Sequence, residues 1–337
     1  MDRVLIICDY GSGFSKVGFA GKEALLAVFP TILGKLGHDI WHHSFYQVRH
    51  TAPEDHPLMV TEPPLNSSST KERVCQILFE TFNIPALSLI NQGVLSLYAS
   101  GQTSGTTIES GEGMTYFVPI SDGCPLYQST FQLDVASQDL TLYLLQLLTE
   151  RGNLLVSTAD QEYIRNVKEK CYVALDFDKE KVEDSNPSSC LQKFQLPDGQ
   201  EISLGQGAFL CPEALFQTNL IGESTGRGQR ENHPGDPRMA MQCITFCNPS
   251  LWKTLFGHII LSRGTGSCSG LRLRLQRELT GLASPTIDVK VPTSPYAKCG
   301  AWVGGSILFS LSTFKDMWVT SSEYRDVGCS IISRRSF

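Results

Sequence analysis

Two acids in this sequence share one local setting. Asp9 follows the apolar run 4–8 and precedes Gly11-Ser12-Gly13, and Glu109 follows residues 106–108 and precedes Gly111-Glu112-Gly113. Extended patterns resume at 14–20 and at 114–120, so each copy reads strand, acid-x-Gly-x-Gly, strand. Glycines two apart permit positive φ and close approach of the backbone. Backbone donors can hold a triphosphate without a basic protein around them. One copy alone is an ordinary hairpin turn. Two in the same register point to duplicated domains. A third turn, Ser262-Arg263-Gly264-Thr265-Gly266, lies between a strand at 258–261 and an amphipathic segment at 271–282. There, backbone N–H groups can meet a phosphate or a base.

The elements that must position these turns are legible. Ser69-x-x-Glu72 reads as a capping box that opens a helix with Val74, Ile77, Leu78 and Phe82 on one face. Thr158-x-x-Gln161 reads as a second box, leading through Ile164, Val167, Lys168 and Tyr172. Asp139 marks the start of a helix through Leu148 that ends near Gly152. Strands between these helices predict a mixed α/β class. Residues 61–69 and the polar stretch 223–237 read as irregular, the latter as a surface loop extending to 240.

Composition narrows the function. The net charge of −6 argues against nucleic-acid binding, which needs a basic face. Hydrophobic residues are 41%, enough for a core and too many for a disordered chain. No stretch reaches the ~20 apolar residues of a membrane span, and no leader is expected before Asp9. Eleven cysteines without a Cys-x-x-Cys pair read as free thiols of a reducing compartment. His38 and His42 have i, i+4 spacing, but no Glu or thiol completes a metal set, so they read as surface or packed histidines.

The segment DYGSGFSKVGFAG at 9–21 resembles actin. The resemblance continues through AVFPTI (27–32), IWHH (40–43), FETFN (79–83), QGVLSLYASG (92–101), LPDG (196–199), CPEALFQ (211–217), WVGGSIL (302–308) and SII (330–332) to Phe337. It spans nearly the whole chain, and the sequence is identified as a divergent member of the actin family. Sugar and metabolite kinases share the two-hairpin plan, but segments outside the loops, such as 211–217, speak against them.

The resemblance implies the α/β fold of actins, sugar kinases and heat-shock ATPases, with two related domains around a nucleotide cleft. The outer domain is expected at 1–100 with 299–337 returning to it, and the inner domain at 101–298. ATP or ADP with Mg²⁺ or Ca²⁺ is the expected cofactor. Gly11, Ser12, Gly13 and Lys16 match the first phosphate loop, and Ser110, Gly111, Glu112 and Gly113 the second. Asp9 and Glu109 match the positions around the hydrated cation. Lys168, Glu169, Gly264, Thr265 and Lys298 match the nucleoside pocket. Gln92 matches the residue that positions the attacking water. Tyr98, Ala99, Gly101, Leu308, Leu311, Thr313 and Phe314 match a groove that takes actin or actin-binding proteins.

Four departures qualify this. Glu109 and Glu112 stand where the family pattern has Asp, Tyr116 stands for a His, and Arg263 stands for the first Gly of its loop. After Gly37-His38 the chain runs directly into Asp39-Ile40-Trp41, omitting most of the small outer lobe and its filament-docking loop. The expected function is therefore a cytoplasmic, cytoskeleton-associated protein that acts through partners, with slow or absent ATP hydrolysis and no self-polymerisation. The alternative is a competent filament-forming ATPase. Without a ligand, Asp9, Glu109 and Glu112 are expected to face one another as unscreened like charges, and Arg263 either to clash with the ligand or to pair with its phosphates.

Overall fold

The computed structural model describes residues 4–22, 25–31, 37–48, 51–152, 158–183, 193–196, 199, 201–221, 234–311, 314 and 317–335. Two large sheets organise them. In the first, Ile6–Tyr10, Phe14–Phe19 and Ala27–Pro30 form an antiparallel meander. Leu58–Glu62 and Ala86–Asn91 add to it in parallel, and Val319–Thr320 returns antiparallel on the outer side of Ala86–Asn91. In the second, Ile259–Ser262 runs parallel to Gly105–Ser110, which forms a hairpin with Thr115–Ser121. Parallel pairs need crossovers, and helices supply them on both faces.

The apolar run at 5–8 shows why both faces are covered. Ile6 and Cys8 pack into a core with Trp41, Phe45 and Leu78, while Leu5 and Ile7 face the opposite way, against Leu95 and Trp302. A strand with alternate residues buried on opposite faces must lack polar alternation, as this one does. Gly300–Phe309 packs on Gln92–Ala99 so closely that a Cβ on Gly304 would collide with the Leu95 carbonyl.

The helices follow the sequence with local corrections. Leu271–Leu282 matches the reading, whereas Thr158–Lys168 stops short of Tyr172, which instead makes an isolated parallel bridge to Ser269. The helix Ser68–Gln76 is capped by Ser67, whose hydroxyl accepts from the Thr70 N–H at 3.2 Å, and not by Ser69. Its continuation Ile77–Thr81 widens to a π-helical turn that buries Leu78 and Phe79. Asp139 lies inside Ser137–Glu150 and accepts from the Ala136 N–H at 3.1 Å, the return half of a cap rather than the helix start. The expected loop at 223–240 lies outside the described residues over 222–233. Beyond that, Asp236–Thr245 is helical, because proline suits a first turn where its missing N–H costs nothing. Thr61 and Glu62 are strand rather than irregular chain. His43 packs edge-on against Phe29 at 5.0 Å and His42 tilts against Tyr46 at 4.8 Å; the side chain of His38 lies outside the described residues.

Candidate functional site

The two hairpins coincide residue for residue. Asp9 faces Lys16 across the first and Glu109 faces Tyr116 across the second. The turns also match: the Gly11 N–H donates to the Phe14 carbonyl, and the Gly111 N–H to the Met114 carbonyl, each at 3.1 Å. This is the geometry of an internal duplication. The loops meet, since a Cβ on Gly113 would lie 3.8 Å from Ser12 Oγ. Thr31 donates to the Gly11 carbonyl at 2.7 Å and fixes the first loop from outside. Ser110 and Thr115 share a hydroxyl hydrogen bond at 2.9 Å at the foot of the second.

Asp9 is buried and engaged at both oxygens. Its Oδ1 accepts from Thr61 Oγ1 at 2.7 Å, and its Oδ2 from Lys16 Nζ at 3.1 Å and Arg263 Nη1 at 2.8 Å. Burial would push this carboxyl up, but the Arg263 and Lys16 charges and the Thr61 hydrogen bond outweigh it. Together they hold Asp9 well below the usual carboxylate range. Arg263 also donates from Nε to Glu109 Oε2 at 3.1 Å. One guanidinium thus joins the strand-end acids of both sheets. It does so from a backbone at φ 74°, held by a 2.7 Å hydrogen bond from its own N–H to the Ala297 carbonyl. Arg263 Nη2 and Glu109 Oε1 are buried, with no hydrogen-bond partner among the described residues.

Arg165 guards the first loop. Its Nη2 pairs with Glu112 Oε2 at 3.0 Å, its guanidinium lies 4.6 Å over the Phe14 ring, and a Cβ on Gly13 would come within 2.7 Å of it. Lys168, one helical turn on, is half-buried and donates to the Ser137 carbonyl and hydroxyl and to Thr141 Oγ1; desolvation lowers its pKa. Glu169 and Lys298 pair at 3.1 Å on the exposed rim. Gly264 is exposed, while Thr265 is buried with its hydroxyl unpartnered among the described residues. Gln92 opens its helix and donates to Thr61 Oγ1 at 3.4 Å, so it connects through Thr61 to Asp9. Tyr116 is half-buried, with its pKa raised by burial and by Asp134.

The structure therefore brings together Asp9, Glu109, Glu112, the glycine loops, Lys16, Lys168 and Gln92. It overturns the expectation of unscreened acids, because Lys16 and Arg263 answer Asp9, Arg263 also answers Glu109, and Arg165 answers Glu112. Arg263 binds both acids through Nη1 and Nε, while its Nη2 has no hydrogen-bond partner among the described residues. Sequence reasoning missed Arg165 and Thr61. The signal for Arg165 was its i, i+3 spacing from Lys168 on one amphipathic helix.

The groove positions separate. Leu308 and Phe314 are core, 7% and 1% exposed, with Phe314 edge-on to Trp318 at 5.0 Å. Leu311 is 51% exposed. Tyr98 and Ala99 are half-buried and Gly101 is exposed. Thr313 lies outside the described residues.

A sequence profile described as Actin matches residues 36–337. The chain belongs to the actin family. Its two sheets, duplicated hairpins and crossover helices are the actin-type α/β fold. The divalent cation that the resemblance places beside Asp9 and Glu109 does not fit this actin-family site. Three of the four carboxylate oxygens, Asp9 Oδ1, Asp9 Oδ2 and Glu109 Oε2, already accept hydrogen bonds from the protein. A phosphate-bearing ligand does fit the donor set, since the unpartnered Arg263 Nη2 offers a buried N–H and Lys16 and Arg165 stand at the two loops, paired with Asp9 and Glu112. Among the described residues, no helix is long and apolar enough to cross a membrane.

Proposed function

We propose that this actin-family chain is a cytoskeleton-associated, cytoplasmic nucleotide-binding protein that acts through partners, with slow or absent ATP hydrolysis. Residues 1–100 with 299–337 form its outer domain, and residues 101–298 its inner domain. Loops 11–13 and 110–113 with Lys16 and Arg165 would hold the phosphates of ATP or ADP. Lys168, Glu169, Gly264, Thr265 and Lys298 would hold the nucleoside. The nucleotide supplies the phosphoanhydride; the protein's residues supply binding and orientation.

The carrying observation is the Asp9–Arg263–Glu109 bridge. It ties up the acids that would order the attacking water, and Gln92 is turned to Thr61. Positioning dominates phosphoryl transfer, and a misplacement of ~1 Å can cost about 100-fold in rate. The omitted segment at 38–39 removes the loop side of a head-to-tail filament contact, which needs two complementary surfaces. The protein would therefore not polymerise alone. It would engage actin or actin-binding proteins through Tyr98, Ala99, Gly101 and Leu311.

Three measurements on the pure protein test this. Fluorescent-ATP titration should show binding, and phosphate release should run far below that of conventional actin. Sedimentation with Mg²⁺, KCl and ATP should leave the protein in the supernatant. Regular filaments with actin-like phosphate release would establish the filament-forming ATPase instead.

A further inference from the structure

The cleft acids already have a cation, and it is covalently attached. Asp9 is next to last in a strand of the first sheet, Glu109 next to last in a strand of the second, and both are buried. Buried carboxylates without counter-charge are costly, so some positive group must stand between them. Arg263 does. Its planar fork presents Nη1 to Asp9 and Nε to Glu109 at once, which a point-like ammonium could not do. The residue keeps this pose at φ 74°, a region that non-glycine residues adopt only under constraint, and an unconstrained side chain there would relax.

We propose that Arg263 replaces the divalent metal of this cleft, so that the chain takes up polyphosphate ligands without metal. Two observations point the same way. Hydrated divalent ions need free oxygen acceptors, and Glu109 Oε1 is the one oxygen of the two carboxylates left without a partner among the described residues. Anions need donors, and Arg263 Nη2 is a buried donor with none of its capacity used among the described residues. A ligand phosphate oxygen can accept from Nη2 while Nη1 and Nε stay on the acids. The guanidinium would then do both jobs that a bridging metal does: neutralise carboxylates on one side and phosphate on the other. The ligand half of this proposal rests on the nucleotide reading above; the metal half does not.

The experiment separates the halves. Terbium luminescence and melting temperature, without nucleotide, are read for the wild-type protein and for Arg263→Gly, with millimolar Ca²⁺ or chelator. Wild type should show no calcium-displaceable terbium signal and no change in melting temperature, whereas Arg263→Gly should gain both. Fluorescent-ATP affinity is then compared in chelator and in Mg²⁺. Wild type should agree within about twofold, a coupling near zero, and Arg263→Gly should bind at least about tenfold tighter with Mg²⁺. Calcium-displaceable terbium on wild type, or a tenfold Mg²⁺ dependence of its ATP affinity, would overturn the proposal. So would an Arg263→Gly protein that folds and gains no metal response. If Arg263→Gly fails to fold, the wild-type arms decide alone. Absence of ATP binding to wild type in either condition defeats the nucleotide reading and the ligand half, and the terbium result still decides the metal half.

Discussion

Asp9 and Glu109 hold the same register position in two hairpins, but their cross-strand partners differ, Lys16 for one and Tyr116 for the other. The duplication thus gives the first acid a local cation and denies it to the second. Glu109 draws its counter-charge from Arg263, far away in sequence, and shares it with Asp9.

This asymmetry orders two substitutions. Lys16→Met leaves Asp9 with Arg263 and Thr61, and should cost about 1–3 kcal/mol, the range for a buried group that loses one of several partners. Arg263→Ala strips Glu109 and half of Asp9, and should cost about 3–5 kcal/mol, as when one member of a buried ion pair is removed. Denaturant titration of both variants checks the order. A larger loss for Lys16→Met would mean that the bridge contributes little to stability.

Much of this was legible in the sequence, for physical reasons. Apolar runs, paired glycines and the capping residues report local structure, so the hairpins and the helix Leu271–Leu282 could be read directly. The cap at Ser67 was displaced by two residues because three consecutive serines offer equal hydroxyls to the same N–H groups. Pro237 was misplaced because proline punctuates a loop and opens a helix equally well. The Arg263 bridge was out of reach: its direction depends on a positive φ and on acids brought together by two separate sheets, neither of which is written near residue 263.

Stability should depend on pH with opposite signs at two buried aspartates. Asp9 is held below its ordinary range, so its contribution is present above the unfolded value near 4 and is lost as the pH falls through the lower folded value. Burial pushes Asp236 up to about 7. Between the unfolded value and 7 the native state holds this proton more tightly than the unfolded chain does, so rising pH lowers stability across that window and no further beyond it. Asp236→Asn removes this loss. The variant and wild type should be alike near the acid end of the window. Above pH 7 the variant should be ahead by a few kcal/mol, because each tenfold difference in proton affinity is worth about 1.4 kcal/mol. Melts at a series of pH values check this, and parallel curves would refute it.

Shortening the acids should not by itself restore hydrolysis. Glu109→Asp with Glu112→Asp corrects the reach of both side chains, but Arg263 still claims the carboxylate at position 109 and Asp9. Phosphate release by the double variant should stay within about threefold of wild type, whereas adding Arg263→Gly should raise it by an order of magnitude or more, as repositioning by ~1 Å is worth about 100-fold. A double variant as fast as the triple would show that side-chain length, and not the bridge, limits turnover.

Partner binding should depend on the exposed edge of the groove alone. In the helix Gly300–Phe309 and the turn after it, Leu308 faces the core with Trp302 and Trp318, while Ile307 and Leu311, four apart, are 43% and 51% exposed. Side chains at that spacing lie on one face, and two large aliphatics there give an amphipathic helix an apolar seat. Ile307→Lys with Leu311→Lys removes that seat without entering the core, so the melting temperature should change little, as for most surface substitutions at about 0.5 kcal/mol. Binding to actin or to groove-directed helical peptides should fall at least about tenfold, the loss of two apolar anchors. Leu308→Lys is the contrasting variant: it should unfold the protein before it tests any surface. Unchanged partner affinity in the folded double variant would remove this edge as the contact.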